Sequence, residues 1–167
     1  MSVPSWDLII LLFFAANVVY GLILRRDSLV ILIVSTYISY VATIAGGGII
    51  FALLSRFLPK IAASESFVEA VTFFVLIILL NLWGEYVADA FSFGRGGTAL
   101  LLTALYGVLS AGLIITCLVS FLPQDIQSNL ISTSDLLRLL LKFELLWFLV
   151  PVLAMIVVGF LGERGRK

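Results

Sequence analysis

At 167 residues, 62% of them apolar and 12% charged, with a mean hydropathy of +1.22, the chain carries more apolar surface than a water-soluble fold of this size can hide; soluble domains use about 45–50% apolar residues. Its ten basic and ten acidic residues cancel and form no run, which argues against a nucleic-acid footprint and leaves no electrostatic partner to infer. Histidine is absent, and the single cysteine, Cys117, lies in an apolar stretch where it reads as a small buried hydrophobe. Serine–histidine catalysis, a zinc protease site and histidine phosphatase chemistry are therefore disfavoured, and no enzyme activity, cofactor or metal site is expected.

The charges divide the chain into helices. No Asp, Glu, Lys or Arg lies between Asp7 and Arg25, Asp27 and Arg56, Glu69 and Glu85, Arg95 and Asp125, or Glu144 and Glu163. A helix needs about 20 residues to cross a hydrocarbon core, so five windows mean five candidate spans. The expected fold is all-α: one polytopic membrane domain over 1–167, a helical bundle of about five transmembrane helices near 6–24, 28–46 with a short continuation at 49–58, 67–90, 98–122 and 134–161.

The first span opens on the interfacial aromatic Trp6 and stops at Arg25-Arg26-Asp27. It lacks the basic n-region and cleavage site of a signal peptide, so it is expected to be retained. Asn17, its one strongly polar residue, should face a neighbouring helix, because an amide in lipid needs a partner.

The second window contains Gly46-Gly47-Gly48, and three consecutive glycines predict that this helix breaks or bends sharply there. Before the break, Thr36, Ser39, Tyr40, Thr43 and Gly47 fall on one small, hydroxylated face that should look inward, as a packing surface or the wall of a polar path.

Ser66 and Glu69 have capping-box spacing and predict the start of the third helix. Only fifteen uncharged residues separate Glu69 from Glu85, so one of the two must approach the hydrocarbon boundary or the bilayer must thin locally. Asn81, Glu85 and Asp89 recur every fourth residue. Two carboxylates at a helix C-terminus oppose its dipole, and Arg95 in the following Gly-rich turn is the nearest cation to offset them. They read as solvated acids, or as an acidic cluster at the mouth of a polar path.

In the fourth span Thr103, Gly107, Ser110 and Ala111 form a small-residue face where another backbone can come close. A polar linker, 123–134, follows. Ser134 or Thr133 can cap the last helix, whose first turns carry Asp135, Arg138 and Lys142 opposite leucines and look interfacial. From Glu144 that helix enters lipid with Trp147 as an anchor and Pro151 as a tolerated kink. With the N-terminus outside, six of the ten basic residues fall on the cytoplasmic side, so the expected orientation is N-out and C-in.

The opening Trp-Asp-Leu-Ile-Ile, the Arg-Arg-Asp stop, the small-residue second span, and the run from Asn81 through Phe-Gly-Arg-Gly-Gly97 into Tyr-Gly-Val-Leu-Ser-Ala-Gly112 resemble the colicin V production protein (CvpA) family over roughly residues 5 to 122. The resemblance implies a small multi-pass protein of the bacterial inner membrane linked to toxin production or export and envelope maintenance, with small residues at Gly107 and Ala111. The chain departs from that pattern in having Gly96 and Gly97 where an acidic residue often stands, and in its fifth apolar helix.

The expected role is a structural or assembly subunit that packs in the bilayer against copies of itself or other membrane subunits. The alternative is a small transporter or channel whose polar path is lined by the second, third and fourth helices. In that case the glycine break would matter, since broken helices are acceptable at membrane depth only beside protein or water.

Overall fold

The computed structural model describes the backbone of residues 6–24, 26–57, 64–87 and 99–164, and the side chains of 6–23, 28–57, 64–84 and 100–158. Those residues fold as α1 (Trp6–Leu24), α2 (Arg26–Phe57), α3 (Glu65–Val87), α4 (Ala99–Ser120), α5 (Gln124–Thr133), α6 (Asp135–Lys142) and α7 (Glu144–Arg164). No strand occurs among them, and the all-α bundle expected from the hydropathy is what forms. The helices α1, α2, α3 and α4 are each long and apolar enough to cross a membrane, and α6 with α7, bent by 65°, makes a fifth candidate.

The break expected at Gly46-Gly48 does not occur: α2 is one helix of 32 residues. Each helical glycine costs about 1 kcal/mol relative to alanine. A freed backbone amide or carbonyl in hydrocarbon costs several, so continuity wins in a lipid-facing segment. At about 1.5 Å per residue α2 is about 48 Å long, well beyond an about 30 Å hydrocarbon core, so it must tilt or project from the bilayer.

Within a bilayer, lipid tails are as apolar as leucine, so helices associate through close packing and not through hydrophobic burial. Glycines supply the close approaches. A Cβ on Gly107 of α4 would stand 2.8 Å from Cα of Val18 in α1, and one on Gly112 would enter the Trp147 ring of α7. Gly84 of α3 is covered in the same way by Ile31 of α2, and Gly21 of α1 by Leu29 of α2. Helix α4 lies at the centre: Ala111, Leu113 and Cys117 are fully buried, and Leu113 and Cys117 belong to a core cluster with Leu29 and Ile33 of α2 and Phe73 of α3, against which Phe148 and Met155 of α7 pack.

The remaining expectations are met unevenly. Helix α3 starts at Glu65, with Ser64 Oγ accepting from the Phe67 amide at 3.2 Å, so Ser64 and not Ser66 caps it. The segment read as a polar linker contains α5, whose Gln127 amide donates to the terminal carbonyls of Val119 (3.0 Å) and Leu122 (2.8 Å). Ser134 does cap the next helix, accepting from the Leu137 amide at 3.0 Å. The sharp turn falls at Phe143, whereas α7 runs through Pro151 without interruption. Trp147 is not a surface anchor: it lies half-buried against Gly112 and edge-on to Phe14, with ring centroids 6.1 Å apart.

Candidate functional site

Two polar features lie inside the bundle. The first is the hydroxyl face of α2. Thr36, Ser39 and Thr43 are all fully buried, and Gly47 continues the stripe, so the small face does look inward. Thr36 Oγ1 donates to the Leu32 carbonyl at 2.7 Å, the back-bond a helical threonine can make in any surroundings. Ser39 Oγ and Thr43 Oγ1 have no partner among the described residues.

Glu69 of α3 packs onto this stripe where glycine leaves room: a Cβ on Gly47 would stand 2.9 Å from Glu69 Cγ. Glu65 approaches the next residue, with Oε1 3.8 Å from the corresponding point on Gly48. Gly46 instead faces outward and meets nothing within 4 Å. The three glycines thus have three different surroundings. The sequence leaves open which of Glu69 and Glu85 approaches the hydrocarbon boundary, and it carries no signal for the seat of Glu69 on Gly47, because the pairing of α2 with α3 sets it.

The second feature is a cleft of about 500 Å³ whose walls are α1 and α3 and whose floor is Leu32 of α2 and Ile114 of α4. Asn17 and Asn81 both line it, the first from α1 and the second from α3. Asn17 is buried, as expected, and faces α4: its Nδ2 donates to the Phe13 carbonyl at 3.0 Å and its Oδ1 accepts from Ser110 Oγ at 3.4 Å. Asn81 is half-buried and hydrogen-bonds to no described residue. The structure therefore brings Asn17 and Asn81 together and keeps both apart from Thr36, Ser39 and Thr43, which line neither this cleft nor a smaller one between α2 and α3.

No known protein family, curated protein or solved structure matches the chain. The geometry alone bears on function.

Gly107 and Ala111 are buried on α4, Gly107 against α1 as its small size requires. The Glu85 side chain, Asp89 and Arg95, read from the sequence as an acidic exit and its counter-charge, lie outside the described residues. Two polar contacts had no sequence signal. Asp7 of α1 accepts from Ser134 Oγ and, at 3.2 Å, from the Leu136 amide, fastening α1 to the start of α6. Tyr37 of α2 donates to the Phe148 carbonyl of α7, one residue beyond the carbonyl that Pro151 leaves without its helical donor.

The chemical repertoire of these features is narrow. Neutral amides and hydroxyls can hydrogen-bond an uncharged group or another helix. Glu69 is an ionisable side chain packed against the Gly47 end of the stripe, and it stands near the end of its span.

Proposed function

We propose that the chain is a structural or assembly subunit of a complex in the bacterial inner membrane, N-out and C-in, with a setting in toxin production or export or in envelope maintenance, as the resemblance to the CvpA family implies. The observation that carries this reading is the outer face of α2. Ala42 and Gly46 stand four residues apart there, exposed or half-exposed, with open space beside Gly46. Small residues at that spacing let a second helix backbone approach, whereas Gly107 and Gly112 of α4 are already met by α1 and α7.

The full chain extracted in mild detergent is expected to run as a homo-oligomer or as a stoichiometric complex, and Gly46→Leu to release free monomer with its thermal midpoint unchanged. A wild-type chain that is monomeric and without a partner, or a Gly46→Leu form of unaltered mass, would overturn the reading.

A transporter or channel is the second reading, favoured by the unpartnered hydroxyls of Ser39 and Thr43 on the face against which Glu69 packs. The two readings differ in whether water reaches that face. Thr43→Cys, in a Cys117→Ala background, is expected to resist a small methanethiosulfonate reagent in membranes. Rapid modification would favour the conduit.

A further inference from the structure

The cleft between α1 and α3 is not used by the assembly reading, and its chemistry is specific. Among the described residues its lining holds no charged side chain, and apart from Asn17, Asn81 and the Tyr20 hydroxyl it is apolar, including Phe13 and Phe74. Binding sites for small molecules have this make-up: an apolar wall with a few placed polar groups, in volumes of about 300–1,000 Å³.

The polar groups are graded by depth. α1 and α3 run the same way, both antiparallel to α2, because Gly21 meets Leu29, Gly84 meets Ile31 and Gly47 meets Glu69. Asn81 stands four residues before Glu85, the first charge after its apolar window, and Asn17 eight residues before Arg25, the first charge after its own. At about 1.5 Å per residue those are about 6 Å and about 12 Å along the helix from the charged end of each span. Phe13 and Phe74, a turn or more further along, line the deeper part. A molecule filling the cleft thus meets an unpartnered carboxamide near the interface, a second amide below it, and only hydrocarbon and rings beyond.

We propose that this cleft binds a neutral amphiphile dissolved in the bilayer, its carbonyl or hydroxyl head hydrogen-bonded to Asn81 and its hydrocarbon chain lying over Phe13 and Phe74. A charged head is disfavoured because no described residue of the lining would compensate it in a low-dielectric site. The free amide accounts for the head, and the depth grading for the direction of the tail.

The test uses the full chain in phosphatidylcholine nanodiscs with a diazirine-bearing monoacylglycerol as probe and monoolein as competitor. Labelling is expected on α1 and α3 at the cleft and to be competed away by monoolein. Asn81→Leu, which removes no existing hydrogen bond, should raise the half-saturating monoolein concentration about tenfold, the worth of one such bond. Ala16→Phe, which fills the cleft from its exposed wall, should abolish cleft labelling. Label that falls equally on the lipid-facing residues Leu145 and Val152 of α7 and resists competition would show only annular lipid and overturn the proposal. So would competition undiminished in both variants, or a cleft that excludes the probe because a second copy of the chain cross-links across it.

Discussion

The glycines show how one residue type does different work according to the direction it faces. Gly107 and Gly112 touch atoms that cannot yield cheaply, a backbone Cα and a fused ring, whereas Gly46 touches nothing. Gly107→Ala and Gly112→Ala are each expected to destabilise the chain by about 1–3 kcal/mol, the usual cost of forcing a methyl group into a filled site. In the dissociated monomer Gly46→Ala should cost nothing and gain up to about 1 kcal/mol from helix propensity. Unfolding by SDS titration in mixed micelles measures all three. A Gly107→Ala form as stable as Gly46→Ala would refute the close approach of α1 to α4. The role of Gly107 was legible, because Thr103, Gly107 and Ser110 recur at helical spacing. Gly46, Gly47 and Gly48 were misread as a break because propensity alone weighs three glycines alike. The deciding quantities, the need of every backbone amide for a partner in lipid and the neighbour each glycine meets, are not local.

At the scale of elements, the short α6 depends on a residue far away in sequence. Ser134 was recognisable as its cap from position alone, but Asp7 lies 127 residues earlier and nothing local announces it. Its carboxylate meets the positive end of the α6 dipole while accepting the Ser134 hydroxyl and the Leu136 amide. Leu137 and Leu140 then pack with Ile10, Ile115 and Val119 beneath the helix. Asp7→Ala is expected to cost about 0.5–2 kcal/mol, the range for a lost helix cap. It should also speed hydrogen exchange at the Leu136 and Leu137 amides while leaving the middle of α4 protected. Unaltered exchange at those two amides would show that Asp7 does not hold the helix. α5 escaped the sequence for a related reason. Its residues are polar and carry no strong apolar stripe, and its Gln127 serves the carbonyl end of α4 more than its own helix.

For the molecule as a whole, the number of crossings decides which faces are shared, and α7 decides the number. α6 sits at the level where α4 ends, since its buried leucines share a cluster with Val119 of α4 and Ile10 near the start of α1. After the 65° bend α7 heads back along α4: Trp147 reaches Gly112, eight residues before Ser120 and so about 12 Å deeper. Its 21 residues extend about 31 Å, which matches an about 30 Å hydrocarbon core. A helix of that length descending beside a full span should emerge on the other side, the side to which the N-out, C-in expectation assigns six of the ten basic residues. Single cysteines placed at Ser2, Asp125 and Lys167, in a Cys117→Ala background, test this with a membrane-impermeant maleimide applied to intact cells. Ser2→Cys and Asp125→Cys are expected to label from outside, and Lys167→Cys only after the membrane is opened. If Lys167→Cys labels together with Asp125→Cys, α7 re-enters without crossing and the bundle has four spans. The positively charged end would then lie on the outer face, against the bias that basic residues impose on membrane insertion.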